Sequence, residues 1–121
     1  MGSSFLFATA RDWARFGQFL AQDGVCEGRR LLPEGWVRWM TTPTPQSRDG
    51  CYGAHWWLKL SKELGGETSA AARIPADAFH ALGHEGQCLS VIPSRGLVVV
   101  RLGLSIDITA WDHADFLSRV L

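Results

Sequence analysis

ALGHEGQCLSVIPSRGLVVVRLG, residues 81–103, carries two apolar runs on either side of Pro93-Ser94-Arg95-Gly96. Proline presets φ for the second position of a turn and glycine accepts a positive φ, so these four residues predict a tight connection between antiparallel strands. Leu97-Val98-Val99-Val100 shows no alternation of apolar and polar residues, the pattern expected of a strand buried on both faces. FHALGH, residues 79–84, predicts a further strand just upstream and places His84 between Gly83 and Gly86. The segment therefore predicts three antiparallel strands, one of them ending in a histidine.

Outward from this segment, helices are expected at both ends. In TARDWARFGQFLAQDG, residues 9–24, Thr9 is an N-cap and Asp12, three residues on, completes a near capping box. Trp13, Phe16, Gly17 and Leu20 share one helical face, and Gly24 supplies the left-handed stop. At the other end, DITAWDHADFLSRVL predicts a helix capped by Thr109, with Ala110, Ala114, Leu117 and Leu121 on one face as the cover for one side of the sheet. RRLLPEGWVRWM predicts a short extended piece and a helix starting with Pro33 at its first position. TTPTPQSRDG is a loop, CYGAHWWLKL reads as a fourth strand, and the polar run from Ser61 to Ala78 is an excursion between strands. The fold class that follows is α+β in a single domain over residues 1–121: an antiparallel sheet of three to five strands flanked by N- and C-terminal helices.

Charge excludes some partners. Twelve basic residues balance twelve acidic ones with no basic cluster, so nucleic acid and anionic membrane surfaces are not expected partners. No apolar run approaches the ~20 residues needed to span a bilayer. MGSSFLFATARDW shows none of the features of a secretory leader, which leaves the compartment open and leans toward the cytoplasm. Cys26, Cys51 and Cys88 are odd in number and far apart, as expected of buried, unpaired thiols rather than a disulfide framework. Six tryptophans are many for 121 residues, and some are expected to face a partner, a pocket or a further part of the protein.

His80, His84 and Cys88 recur every four residues. On a strand that interval spans about 13 Å, far too long for ligands that must converge within ~2.3 Å of one ion, so no metal and no other cofactor is expected. His84 by itself is equally the mark of a hydrogen-bonded histidine at a sheet edge, with Gly83 and Gly86 marking a bulge. His55 and His113 have only structural or surface roles to suggest.

Taken in succession, GSSFLFATARDWARFGQFLAQDGV, RRLLPEGWVRWMTTP, YGAHWWL and ALGHEGQCLSVIPSRGLVVVRLG resemble the C-terminal part of the serine β-lactamase and penicillin-recognising hydrolases. The likeness is closest to their class C-like esterase, amidase and 6-aminohexanoate-dimer hydrolase branch, and it covers nearly the whole chain. The resemblance implies a partial β-lactamase or transpeptidase-like fold and hydrolysis of an ester or amide through an acyl-enzyme. It implies that His84-Glu85-Gly86 stands where that family has its third active-site motif, usually Lys-Thr-Gly or Lys-Ser-Gly. His84 would offer a hydrogen bond or partial positive charge to substrate, Gly86 would admit substrate to the backbone, and Glu85 would lie at the substrate wall. The backbone N–H of Gln87 would be an oxyanion-hole donor.

Two departures bear on substrate. Histidine in place of lysine exchanges a permanent cation for a group mostly neutral at pH 7, and Glu85 replaces a hydroxyl that would pair with a substrate carboxylate. A neutral ester or amide is therefore expected in preference to a β-lactam. A third departure is an absence. None of the nine serines is followed three residues later by lysine, and Tyr52 is followed by Gly53-Ala54 rather than x-Asn. The Ser-x-x-Lys nucleophile of the family is thus not in this chain, which alone is expected to be inactive. The expected partners are a small ester or amide in the complete protein, and either a second copy or a complementing N-terminal segment. The alternative is a non-catalytic binding or oligomerisation module derived from the same fold.

Overall fold

The computed structural model describes residues 6–121. Residues 2–5, the start of the first segment quoted for the resemblance, lie outside the described residues, as do Ser3 and Ser4.

Helix α1, Ala10–Ala21, begins where the sequence places it. The Asp12 N–H donates to Thr9 Oγ1 at 3.2 Å and the Thr9 N–H donates to Asp12 Oδ2 at 3.3 Å, a reciprocal cap. The Thr9 hydroxyl also donates to Asp12 Oδ2 at 2.6 Å, and this bond, followed by that from the Thr9 N–H, holds the Asp12 carboxyl below its ordinary pKa. Beyond the helix Gly24 takes φ +76° and its N–H donates to Phe19 O. Strands β1, Val25–Cys26, and β2, Arg29–Arg30, form a two-stranded hairpin. Glu27 and Gly28 at its tip both have positive φ, as a two-residue primed turn requires. Helix α2 is Trp36–Met40, so Pro33 does not open it. Gly35 at φ +77° lies between them, and Pro33 instead heads a turn whose carbonyl accepts the Trp36 N–H.

The aromatic stretch at 51–60 is not a strand. His55 at φ +67° reverses the chain, with the Gly53 N–H donating to Trp56 O and the Leu58 N–H donating to Cys51 O. Only Trp57 reaches the main sheet, exchanging both backbone bonds with His80.

The main sheet has three antiparallel strands in the order β3 (Phe79–Leu82), β4 (Cys88–Ile92), β5 (Leu97–Arg101). Its register pairs His80 with Ser90 and Ser90 with Val99. The Pro93–Arg95 turn, closed by Gly96 at φ +57°, joins β4 to β5 as expected. The strand buried on both faces is β4, not β5: all five residues of β4 are buried and all five of β5 are half-buried. Position explains this, since β4 is central while β5, among the described residues, has a strand neighbour on one side only.

Side chains on one face of the sheet, Phe79, Leu89 and Val91, pack with Leu20, Val37, Met40 and Trp56 from the α1–α2 side. Cys88 and Ile92 on the opposite face pack with Leu60, Leu64, Ala114 and Leu117. The Ser61–Ala78 excursion is thus part of the cover of this second face, anchored by Leu64 and Ala78. Helix α3, His113–Val120, completes that cover. Its cap is Asp112, which accepts the Asp115 N–H at 2.8 Å; Thr109 belongs to a separate turn capped by Asp107, and Ala110 is exposed. The molecule is α+β, with its sheet between N- and C-terminal helical layers. Of the three free thiols Cys88 is buried, whereas Cys26 is exposed and Cys51 half-buried. Burial raises the Cys88 thiol pKa to about 11. Among the described residues no helix is long and apolar enough to cross a membrane.

Candidate functional site

Strand β3 ends at Leu82, so His84 lies beyond it, on the short turn His84–Gly86 that leads into β4. Glu85 at φ +53° and Gly86 at φ +78° are successive left-handed residues, which accomplish the reversal. Glutamate tolerates that conformation poorly, so outside contacts must hold it.

Arg101, at the end of β5, provides them. Its Nη1 donates to Gly86 O at 2.7 Å and to Gly103 O at 2.9 Å, and its Nη2 donates to Ser105 Oγ at 2.7 Å. Its guanidinium carbon lies 4.6 Å from the centre of the Trp111 ring. The Ser105 N–H in turn donates to Glu85 O at 2.9 Å. A Cβ on Gly86 would sit 3.0 Å from Arg101 Nη1, so the missing side chain at Gly86 makes room for arginine.

His84 projects outward with 85% of its side chain exposed, and its Nε2 lies 3.4 Å from Glu85 Oε1. The Gln87 N–H donates to His84 O at 3.3 Å, a long bond that closes the turn. His84, Glu85, Gly86 and Gln87 are therefore together on one turn. Gly86 is enclosed, and the Gln87 N–H is turned into the loop. His80 and Cys88 do not converge with His84: His80 lies in β3, and Cys88 pairs across the sheet with Leu82.

A second polar cluster lies inside the fold, on the α3 side of the sheet. His80 Nδ1 is 2.8 Å from Ser90 Oγ, Ser90 Oγ is 2.9 Å from His113 Nε2, and Trp111 Nε1 donates to His113 Nδ1 at 3.2 Å. His80, Ser90 and His113 are 2%, 0% and 0% exposed. Indole nitrogen only donates, so His113 Nδ1 accepts and Nε2 carries the proton, and the Ser90 hydroxyl then has His80 Nδ1 as its remaining acceptor among the described residues. Trp111 gives to His113, His113 Nε2–H gives to Ser90 Oγ, and the Ser90 hydroxyl gives to His80 Nδ1. Burial, followed by the charge of His113, pushes the His80 pKa down to about 3. Burial and then the Arg101 charge push His113 down to about 4, partly opposed by Asp112.

Serine beside histidine is the geometry of an activated nucleophile. Here the Ser90 hydroxyl is itself fully buried and donates to His80, so it does not face a substrate, and the cluster holds β3, β4 and α3 together. Its one sign in the sequence is Ser90 within the apolar run Cys88–Ile92; that it faces His80 depends on a register which the sequence does not state.

No family model matches the chain. An uncharacterised protein of Alkalihalophilus pseudofirmus is 24% identical to it over 98 residues, which cover 79% of this chain and 29% of that protein. The chain thus spans less than a third of the length of this curated relative.

Proposed function

We propose that this chain is the C-terminal segment of a β-lactamase-like serine hydrolase acting on neutral esters or amides through an acyl-enzyme. The observation that carries this reading is the exposed His84 on a left-handed turn, pinned by Arg101 between two strands of a helix-flanked antiparallel sheet. The sequence likeness puts the third active-site motif at these residues, which lie on the turn after β3 rather than on the strand itself. The relative of which this chain matches only 29% agrees with a larger parent.

In this reading His84 supplies a hydrogen bond to substrate. Glu85 sits against it and disfavours anionic substrates. The Gln87 N–H becomes an oxyanion donor only by exchanging its long bond to His84 O for the substrate oxygen. A few kcal/mol of transition-state stabilisation is the usual worth of one such donor. The nucleophile and its lysine come from another stretch of polypeptide.

The test is to supply the polypeptide encoded upstream of Met1 and assay p-nitrophenyl esters. Turnover is expected for the pair and not for either part, with His84→Ala lowering kcat/KM by at least ~10-fold in the pair. If turnover is absent with both parts folded and bound, the hydrolase reading fails. The second reading, a non-catalytic binding or oligomerisation module, draws on exposed apolar side chains: Ile106 at 94%, Leu104 at 65% and Trp39 at 60%.

A further inference from the structure

The hydrogen-bond chain through Ser90 has an unused end. Because the Ser90 hydroxyl gives its proton to His80 Nδ1, neutral His80 carries its own proton on Nε2. Among the described residues that N–H has no acceptor, yet no buried side-chain nitrogen or oxygen there lacks a partner. His80 Nε2–H therefore reaches solvent, although the residue is 2% exposed. The opening it reaches is a cleft of about 350 Å³ that His80 lines, between Leu58–Leu60 and the wall from Gly66 to Ala76.

The chemistry of this cleft is specific. Leu58, Leu60, Ile74, Pro75 and Ala78 make its surface largely apolar. Its charged wall residues face outward: Lys59 Nζ donates to Asp49 O at 3.0 Å, and the largely exposed Glu67 lies 3.7 Å from the exposed Lys62. The Thr68 hydroxyl on the wall donates to Gly65 O at 2.7 Å, which leaves the His80 N–H as the free side-chain donor among the uncharged wall residues, held in direction by three further groups behind it. Such a site rewards one acceptor on an otherwise apolar molecule and penalises charge.

We propose that this cleft binds a small neutral molecule through a carbonyl oxygen that accepts the His80 Nε2–H. The site is distinct from the His84 turn, since His80 faces the α3 side within the sheet, and the proposal does not depend on the hydrolase reading.

The probe is cyclohexanone, titrated into the 15N-labelled chain while the ring nitrogens of all four histidines are followed by NMR. The expected result is a saturable shift of the His80 Nε2–H, with a dissociation constant on the order of 1 mM, and unmoved His55 and His84 signals. Ala72→Trp and Ala76→Trp each place an indole on the cleft wall at an exposed position. Each is expected to weaken binding by at least 10-fold while amide dispersion stays native; two variants guard against misfolding of one. No saturable shift in the unmodified chain overturns the proposal, because water alone then satisfies His80. Equal binding in a folded Trp variant overturns it as well, because the ligand then sits elsewhere.

Discussion

Ser90 joins the two buried histidines. Replacing it with alanine orphans two buried ring nitrogens at once, so Ser90→Ala is expected to lose roughly 2–4 kcal/mol in urea unfolding, well above the loss of a methyl-sized contact. The same histidines make stability depend on pH. In the fold their pKa values are depressed to about 3 and about 4; in the unfolded chain they return to about 6.5. A depressed histidine is uncharged in the fold and takes up a proton on unfolding. Stability is therefore full above pH 6.5 and falls as the pH drops from there toward 4, by several kcal/mol for the pair. Thermal melts from pH 7.5 to 4 should show this fall, and in a His113→Phe variant it should be shallower. At this scale the sequence marked His84 and missed His80–Ser90–His113. His84 was conspicuous through its neighbouring glycines. The other group became a cluster only when the register set residue 80 opposite 90 and α3 brought residue 113 over them.

Among the elements, α1 was legible because every local signal agreed: cap, apolar face and left-handed stop. The aromatic stretch at 51–60 was not, because its β-type composition serves a chain reversal at His55: Trp56 fills the α1 side of the core, and Trp57, exposed, makes only an isolated bridge to His80. The contact of α1 with β5 offers a test. A Cβ on Gly17 would lie 2.5 Å from Val98 Cγ1. Alanine gains about 1 kcal/mol in helix propensity, but overpacking costs about 1–3 kcal/mol. Gly17→Ala is expected to be net destabilising by about 1 kcal/mol, and less so in a Val98→Ala background. Additive effects in that double-mutant cycle would show that the helix does not approach the strand so closely.

For the molecule as a whole, the α+β class, the helical cover on both faces and a sheet of three to five strands were readable from the order of segments; what was not readable is that residues 51–60 do not add a fourth strand. Among the described residues three strands form the main sheet, and β5 pairs with a strand on one side only. Unpaired edges recruit other strands, and Leu104 and Ile106 add exposed apolar surface just beyond this one. The chain is expected to self-associate in sedimentation velocity as concentration rises, and Leu104→Glu with Ile106→Glu should shift it toward monomer. A stable monomer at high concentration would count against an open edge in need of a partner.

We propose that these residues wall a hydrolytic site whose reactive hydroxyl lies on other polypeptide. A fluorophosphonate that labels activated serines tests it most directly, with intact-mass and peptide analysis of this chain alone and together with the upstream polypeptide. The account predicts no adduct on the lone chain and a single adduct, in the mixture, on the upstream segment. Stoichiometric labelling of any serine within residues 1–121, Ser90 included, would contradict it.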